Sequence, residues 1–579
     1  MNNLELSQIF YQMADLLEMQ EVEFKPRAYE KAARVLETKK EDVSKVYNRE
    51  GLEGLKKIPG VGESIAKSIE EYLNTGVIED YERLKKQAPV DIDKLSSVEG
   101  LGPRTIKKFY KELNIKSVED LEKAAKKGKI RKLEGFGEKS EKNILESIEF
   151  LKEGGDRVLL GRALPMIRDI LKRLKENKEV KKAEIAGSAR RMKETVGDID
   201  ILASSSDPKK TMDFFVNMPE VVKIWNHGKT KSSVRLKDGL DCDLRIVEKN
   251  SFGAALQYFT GSKDHNIIVR RIAIEKGYKL NEYGLFKKSN EKIAGENEKE
   301  VYNALGLSYI PPEIRTNKGE IKAAQNDFQG KQPGLPKLLN YNQILGDTQC
   351  HTNWSDGANT LEEMAEAAKR TGYEYLVITD HAGMLKIANA LDEDRLIKQM
   401  KEIDRINQKM SGFRLIKSCE VDIEEDGSLA IKDEILEKLE IVSAAIHSKF
   451  KMPEKEMTKR VIRAIENPNV DVIVHPTARV IQKREPIALN MEEVFKAAKA
   501  NNVALEVNSH IDRLDLNAEN VRRAVEKGVK LTIGTDAHSF TYFPMIELGV
   551  ATARRGWAEA KDVLNTRSLN DFLDFFNKK

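Results

Sequence analysis

Apolar side chains recur with a helical period through the first part of the chain. Phe10 and Met13 lie three positions apart, and Ala28 and Ala32 lie four apart. This spacing puts the apolar side chains on one face of a helix. We therefore expect residues 1–155 to be all-α.

Short apolar strands alternate with helices after residue 345. The clearest strands are 375–379, 441–445, 470–474 and 531–534. Strands separated by helices predict a parallel α/β fold, here a distorted TIM-like barrel. Active sites of such folds lie at the carboxyl ends of the strands.

The middle of the chain mixes strands with helices, which predicts an α+β unit. Residues 319–344 are rich in Lys, Gln, Asn, Gly and Pro, and their periodicity fades, which is typical of a linker. We expect six segments: a first helical domain 1–80, a second helical domain 81–155, an α+β segment 156–247, a further mixed segment 248–318, the linker 319–344 and the α/β domain 345–579.

The pattern apolar-x-Gly-apolar-Gly occurs three times in the helical region, at residues 58–62, 98–102 and 133–137. Two glycines permit a tight turn, and the exposed N–H groups of the following helix can bind a DNA phosphate without reading sequence. The candidate DNA contacts are Gly60, Gly62, Gly100 and Gly102. These repeats resemble helix-hairpin-helix motifs, and the third copy serves either DNA binding or packing.

Two carboxylates and a small-residue turn mark the segment 156–247. Asp198 and Asp200 lie on a predicted strand, so both project from one face. Such a pair repels unless a cation lies between, and Mg²⁺ prefers oxygen ligands. Gly187-Ser188 can offer backbone N–H groups to a phosphate, and Arg191 can hold its oxygens.

A third carboxylate is needed to hold a second metal ion. Asp243 is the candidate, because it lies on another strand-like run at residues 240–247. Asp241 is its neighbour on the same face.

These motifs resemble the nucleotidyltransferase core of family X DNA polymerases. The resemblance rests on Gly-Ser-x-Arg-Arg and Gly-Asp-x-Asp between residues 187 and 200, and on Tyr-Phe-Thr-Gly-Ser at 258–262. It implies catalysis by Asp198, Asp200 and Asp243 with two Mg²⁺ or Mn²⁺ ions. The implied nucleotide-binding residues are Gly187, Ser188, Arg191, Gly197, Tyr258, Phe259, Gly261 and Asn266. Tyr258 and Phe259 would favour deoxynucleotides (dNTPs). The stretch 252–286 resembles the family's thumb, so the resemblance implies a palm at 156–247 and a thumb at 248–318.

The same resemblance implies further DNA contacts. Arg270 matches a residue that contacts the template strand, and Lys25 and Tyr29 match a 5′-phosphate pocket. Ser68 stands where some relatives have the lysine of a sugar-phosphate lyase, so we do not expect lyase activity. His265 is expected on a helix surface.

Six of the eight histidines lie in the α/β domain: His351, His381, His447, His475, His510 and His538. All but His510 follow a strand or a strand end directly, and Glu420 and Asp536 do so too. Imidazole and carboxylate ligands together suit Mn²⁺, Zn²⁺ or Fe²⁺.

This second pattern resembles the polymerase and histidinol phosphatase (PHP) domain, which holds three metal ions. The resemblance implies that Glu420 bridges two ions and that the other ligands are His351, Asp356, His381, His447, His475, Asp536 and His538. Gln349 departs from the pattern, which has a histidine there, so one metal site is expected to be looser. The implied activity is 3′→5′ exonuclease, with AP-endonuclease or 3′-phosphatase as further options.

Charge and cysteine usage narrow the class of protein. With 98 Lys and Arg against 94 Asp and Glu, the net charge is +4, so DNA affinity must come from local patches. The three cysteines are too few and too scattered for a disulfide framework. No signal peptide or apolar membrane span is apparent. We expect a cytoplasmic monomer.

The leading hypothesis is a gap-filling DNA repair polymerase acting on gapped or primer-template DNA. The alternatives are a DNA-binding scaffold with a degenerate PHP domain, and a nucleotidyltransferase that does not act on DNA. The repeated glycine motifs and Tyr258-Phe259 argue against the last of these.

Overall fold

A computed structural model describes residues 2–20, 22, 24–39, 41–88, 90–96, 98, 101–154, 157–383 and 388–576. The predicted class is confirmed: a helical N-terminal region, an α+β palm with a thumb and a C-terminal α/β domain. The individual domain boundaries remain predictions.

The N-terminal region is built from helices throughout its described length. They are α1 (Asn2–Met19), α2 (Lys25–Thr38), α3 (Val43–Lys56), α4 (Glu63–Thr75), α5 (Glu79–Gln87), α6 (Ile92–Ser96), α7 (Pro103–Leu113), α8 (Val118–Lys126) and α9 (Glu138–Gly154). Helices α4, α7 and α9 each begin one residue after the second glycine of a repeated motif. Phe10, Ile65 and Phe109 are buried in the shared core.

The palm is a five-stranded sheet covered on one face by helices. Its elements are β1 (Val158–Leu159), α10 (Leu160–Glu176), β2 (Val180–Ile185), α11 (Gly187–Arg190), β3 (Thr195–Val196), β4 (Asp198–Ser205), α12 (Pro208–Val216), β5 (Val221–His227), β6 (Lys231–Leu236) and β7 (Asp241–Ile246). The sheet order is β2-β4-β7-β6-β5, with β4 and β7 parallel. Ile199 and Cys242 pack with Met212 and Phe215 of α12, so the alternate residues of β4 and β7 face away from the helices.

The thumb follows directly. It contains α13 (Phe252–Thr260), α14 (Lys263–Glu275), β8 (Tyr278–Asn281), β9 (Gly284–Lys287), β10 (Lys292–Ala294), α15 (Glu298–Ala304) and α16 (Glu320–Phe328). Helix α16 lies in the segment predicted to be a linker, and its Ile321 and Ala324 are buried in the thumb core. The apolar positions of α16 are few, which is why the composition of the segment hid a packed helix.

The C-terminal domain alternates strands and helices. Its elements are β11 (Gly346–Cys350), α17 (Leu361–Thr371), β12 (Tyr375–Ile378), β13 (His381–Ala382), α18 (Glu393–Asn407), β14 (Arg414–Lys417), β15 (Glu420–Asp422), α19 (Asp433–Leu436), β16 (Ser443–Ala445), α20 (Glu454–Ile465), β17 (Val472–Ile473), α21 (Met491–Ala500), β18 (Ala504–Asn508), α22 (Ala518–Lys527), β19 (Leu531–Gly534), α23 (Ile546–Arg555) and α24 (Leu569–Phe576).

These strands pair in parallel, in the orders β11-β12-β14 and β13-β15-β16-β17-β18-β19. Strands β12 and β14 continue into β13 and β15 after two-residue breaks, which joins the two sheets. The N–H of His351 donates to the carbonyl of Ala537 (2.8 Å). This hydrogen bond joins the end of β11 to the chain after β19 and so closes the barrel. The result is the expected distorted barrel.

The palm rests on the α/β domain through polar and apolar contacts. Arg479 Nη2 lies 2.8 Å from Glu194 Oε1, and Gly161 approaches Ile511 and Leu548 so closely that a methyl group there would clash. Within the ranges described, no helix combines the length and the apolar character needed to cross a membrane.

Candidate active sites

The palm brings the predicted aspartates together on the face of the sheet that the helices leave open. Asp198 pairs with Asp241, and Asp200 pairs with Asp243 across parallel strands β4 and β7. Burial, then the charges of Asp198 and Asp243, raises the pKa of Asp200 to about 6. Carboxylates that destabilise one another's charge in this way form a donor set that fits divalent cations. Their role as ligands remains a prediction.

Cations on β6 and on β7 itself partly balance this charge. Lys231 Nζ lies 2.8 Å from Asp243 Oδ2, and Arg245 lies 3.6 Å from the same oxygen. Asp241 is engaged differently, because Trp225 Nε1–H donates to it (2.8 Å). Asp243 is therefore the carboxylate of β7 that faces Asp200.

The turn before Asp198 is shaped by Gly187. This residue has φ +61°, and a methyl group on it would lie 2.6 Å from Asp200 Oδ2. The hydroxyl of Ser188 and the Nε of Arg191 are buried, and neither has a hydrogen-bond partner among the residues that the structure describes. Unpartnered buried donors beside the carboxylates fit a phosphate group.

Two arginines tie this turn to the thumb, and sequence reasoning identified only one of them. Arg191 donates to the carbonyl of Thr260. Arg190 donates to Thr260 Oγ1 (2.6 Å) and pairs with Glu298 (2.6 Å), which also binds the buried Arg315 (2.7 Å). The sequence gives no signal for this network, because its members are up to 125 positions apart in the chain.

The predicted nucleotide-binding residues of the thumb lie beside these arginines. Tyr258 and Phe259 stack edge to face, with centroids 5.1 Å apart, and Arg245 lies 4.6 Å from the Phe259 ring. Asn266 Nδ2 donates to the carbonyl of Tyr258 (2.7 Å). Gly261 has φ +69° and leaves room for Arg191.

Gly197 and Arg270 are the remaining candidate residues of this site. Gly197 leaves room for Arg157, whose Nη1 would lie 3.1 Å from a methyl group there. Arg270 is exposed on α14.

The prediction for His265 is wrong: it is fully buried, with Nδ1 2.8 Å from Glu320 and Nε2 2.9 Å from Tyr302. It lies inward because α16, unforeseen from the sequence, covers this side of α14.

The candidate DNA contacts of the N-terminal region are placed as follows. Gly60 and Gly62 precede α4, Gly102 precedes α7, and Lys25 is exposed at the start of α2. Gly100 lies outside the described residues.

Tyr29 is buried, and its hydroxyl lies beside Ser64 and Ser68, the two positions where some relatives have lysines. Burial raises the pKa of Tyr29. Its 5′-phosphate role remains a prediction.

The histidines of the barrel converge on Glu420 at one end of the sheet. His475 Nε2 and His447 Nε2 lie 2.7 and 3.0 Å from Glu420 Oε1. His351 Nε2 and His381 Nδ1 lie 3.3 and 3.5 Å from Oε2. The fully buried Glu420 thus stands at the centre of four imidazoles.

Two more carboxylates complete the cluster. Asp536 lies 3.1 Å from His351 Nε2, and Asp356 lies 3.3 Å from His538 Nε2. Three groups within the described residues have ligand atoms close enough to share an ion: His351, Asp356, His381 and His538; His381, Glu420 and His447; His351, Glu420 and Asp536.

The polar atoms of this cluster fit metal ions. The buried Nδ1 atoms of His351 and His475 and the Oε1 of Gln349 have no hydrogen-bond partner in the described part of the chain. Gln349 Nε2 donates to Glu420 Oε2 (3.1 Å), which places its amide inside the cluster. Unsatisfied buried donors and acceptors are costly unless an unseen partner is bound.

Several residues around the cluster escaped the sequence analysis. Asp422 accepts from His447 Nδ1 (2.6 Å) and could have been found, since it lies two positions after Glu420 on the same strand. Arg513 Nε lies 3.4 Å from Asp536 Oδ2, and no pattern marks it. His510 bonds Asp512 (2.5 Å) and belongs to none of the three groups.

Family models match four segments of the chain. A helix-hairpin-helix domain matches residues 1–78, and a SAM-like helix-hairpin-helix tandem matches residues 92–149. The DNA polymerase beta thumb matches residues 255–316, and a PHP domain matches residues 347–510.

Known proteins resemble the chain over different lengths. A Bacillus subtilis (strain 168) protein named DNA polymerase/3'-5' exonuclease PolX is 37% identical over 558 residues, 96% of this chain and 95% of the relative. A probable phosphatase of Thermoanaerobacter sp. (strain X514) is 33% identical over 207 residues, 34% of this chain and 80% of that protein. A probable phosphatase of Caldicellulosiruptor saccharolyticus is 29% identical over 239 residues, 40% of this chain and 94% of that protein. Because the first relative aligns along nearly its whole length, the chain belongs to the family X DNA polymerases that carry a C-terminal PHP domain.

Proposed function

We propose that this chain extends the primer strand of gapped DNA with dNTPs and trims 3′ ends in its PHP domain. The polymerase half of the proposal depends on one observation: Asp198, Asp200 and Asp243 share the open face of two neighbouring parallel strands. The B. subtilis relative bears the name of both activities. We further propose that the chain acts as a monomer.

In the palm, the protein binds and orients the reactants. Ser188 and Arg191 offer buried, unpartnered donors to the triphosphate, while Tyr258 and Phe259 stand where the sugar would lie. Asp198, Asp200 and Asp243 would hold Mg²⁺ or Mn²⁺, which when bound promotes loss of the primer 3′-hydroxyl proton and neutralises the leaving pyrophosphate. Lys231 and Arg245 pair with Asp243 and hold its carboxylate in place.

In the PHP domain, the imidazoles and carboxylates around Glu420 form a preassembled donor set. Mn²⁺, Zn²⁺ or Fe²⁺ held there supplies a Lewis acid for phosphodiester hydrolysis. Asp422 orients His447 through its Nδ1 hydrogen bond. Arg513, the guanidinium beside Asp536, is placed to meet a substrate phosphate at the rim of the cluster.

A second activity of the PHP domain is 3′-phosphate removal. About a third of the chain is similar to proteins named probable phosphatases. A primer ending in a 3′-phosphate tests it: release of inorganic phosphate that His538→Ala abolishes would support the activity. Release that survives in His538→Ala would contradict it.

The main experiment compares Asp198→Ala and His538→Ala with the unmodified protein on one gapped substrate with Mg²⁺ or Mn²⁺. Asp198→Ala should lower extension by roughly 10²–10³-fold, the scale of losing one preorganised electrostatic contact, and spare 3′ trimming. His538→Ala should do the reverse. Extension retained in Asp198→Ala, or both activities lost in either variant, would contradict the two-site proposal.

The same substrate separates the alternatives. A scaffold would bind gapped DNA without extending or trimming it. A nucleotidyltransferase that does not act on DNA would use ribonucleotides as readily as dNTPs, or leave the primer unchanged.

A further inference from the structure

The outer strand of the palm carries an exposed aromatic side chain that the proposed nucleotide site does not use. Strand β5 is the edge of the sheet, and its residues after Val221 are exposed. Trp225 is 49% exposed. Large aromatic side chains are usually buried for most of their area, so a half-exposed indole beside an active site calls for a partner.

Trp225 lies on the same face of the sheet as the aspartates. Its Nε1–H donates to Asp241 Oδ1 (2.8 Å), and Asp241 is paired with Asp198. The hydrogen bond holds the indole in one orientation on the catalytic face, where about half of its surface is open to solvent. The indole thus contacts the carboxylate that neighbours Asp198 of the proposed site of synthesis.

The indole and the nucleotide pocket lie on opposite sides of the aspartates. Phe259 of the pocket stacks on Arg245 (4.6 Å), whereas Trp225 bonds Asp241. Arg245 and Asp241 are four positions apart on β7, which is about 13 Å along a strand. A nucleotide bound on the Arg245 side leaves the Asp241 side of the carboxylates open to the strand that supplies the 3′-hydroxyl.

Basic side chains surround the exposed ring. Lys223 Nζ lies over the ring, 4.0 Å from its centroid, and the Arg235 guanidinium, which is paired with Asp241 (2.9 Å), lies 5.7 Å away. An aromatic face flanked by cations is the combination that proteins use to bind a nucleic-acid strand without reading its sequence.

We propose that Trp225 and Lys223 form a docking platform for the last nucleotides of the primer strand. This inference rests on the proposed polymerase function. The indole packs against a sugar or an unpaired base near the 3′ end, and Lys223 pairs with a backbone phosphate. Both are positioning residues, since neither touches the reacting atoms.

The test uses the full chain and a fluorescently labelled primer-template with a one-nucleotide gap. Trp225→Ala should raise the Kd for this DNA about fivefold or more, the low end of what stacking on one base contributes. The KM for DNA should rise likewise, while the KM for dNTP stays unchanged. Trp225→Phe should restore most of the binding.

Phe214→Ala is the matched control. Phe214 is a 38% exposed aromatic residue of the palm, but it lies on α12, which covers the opposite face of the sheet. Its loss should leave the Kd for DNA unchanged. A salt titration of Lys223→Gln should lower the slope of log K against log salt by about 1, as expected for one lost phosphate contact.

Intrinsic fluorescence gives a readout independent of turnover. The chain has three tryptophans, and gapped DNA should quench the emission of the unmodified protein more than that of Trp225→Phe. Equal quenching, or a Kd of Trp225→Ala equal to that of Phe214→Ala, would overturn the platform. If the unmodified protein neither binds nor extends the DNA, the proposed function itself fails; if it extends and Trp225→Ala matches it, only the platform fails.

Discussion

The two candidate sites both present donor sets suited to divalent ions, but they differ in how far those donors are exposed to solvent. The palm site is open: Asp198 is exposed, and the side chain of Asp243 keeps 25% of its accessible surface. The PHP site has a closed centre, with Glu420 and His351 fully buried, and an accessible edge, where the side chains of His538 and Asp356 keep 33% and 28% of their surface. Mg²⁺ usually completes its ligand shell with substrate phosphates, whereas imidazole-rich sites supply most of the ligands from the protein.

The sites also differ in how their parts are assembled. The PHP ligands come from the strand ends of one barrel, so the fold alone sets their spacing. The palm site is assembled from a turn, two strands and the thumb. The Arg190–Glu298–Arg315 network joins the thumb to the turn of the palm. Damage to that junction should therefore affect synthesis and leave trimming intact.

The largest effect that tests this contrast is expected at Gly187. In Gly187→Ala the new methyl group would lie 2.6 Å from Asp200 Oδ2 and push the carboxylate out of line. We expect primer extension to fall about 10²-fold, because a misplacement of about 1 Å costs that much in a positioned reaction. Trimming of 3′ ends by the same preparation should be unchanged.

Gly239→Ala is the control for backbone strain. Gly239 also has a positive φ (+83°), but a methyl group there meets nothing within 4 Å. Both variants carry the cost of a left-handed alanine, about 1–2 kcal/mol, and only Gly187→Ala displaces a carboxylate of the proposed polymerase site. Equal losses of extension in the two would contradict the role assigned to Gly187.

The sequence was sufficient wherever a motif and a strand period coincide. Asp198, Asp200 and Asp243 follow the two-residue repeat of β4 and β7, so alternation alone predicts their common face. The histidines were predicted by a different rule, from their positions directly after barrel strands, where the active sites of such folds lie. Contacts between distant segments were not predictable: nothing local links Arg190 to Glu298, or His265 to Glu320 of α16.

A smaller effect, on stability, is expected at Glu298. Burial opposes its charge, but Arg315 and Arg190 hold the pKa of Glu298 down to about 2, against an ordinary value of 4.5. A depressed pKa contributes stability that is present above pH 4.5 and lost as the pH falls towards 2. The difference corresponds to about 3 kcal/mol.

Glu298→Gln should remove this contribution and leave two buried guanidinium groups without their shared counter-charge. We expect the opening free energy of α15, measured by amide hydrogen exchange, to drop by about 3 kcal/mol at pH 7 and to become nearly independent of acid. The control is Glu300→Gln, an exposed change on the same helix. Equal protection of α15 in both variants would show that the network does not hold the thumb.

The smallest expected effect concerns Gln349, the departure from the PHP pattern. Its Nε2 donates to Glu420, and its buried Oε1 has no partner among the described residues. An amide oxygen is a weaker ligand than an imidazole nitrogen for Mn²⁺, Zn²⁺ or Fe²⁺. Gln349→His should therefore raise metal retention, by about tenfold in a chelator competition that follows bound metal by mass spectrometry.

Gln349→Met provides the matched comparison, because it fills a similar volume without an oxygen ligand. If Gln349 holds a metal ion weakly, retention should increase from Met to Gln to His, while primer extension stays equal in all three. Equal retention in the three proteins would place the amide outside the metal shell. Any looseness of that metal site would then have another cause. The contrast between the open palm site and the buried centre of the PHP site would not depend on Gln349.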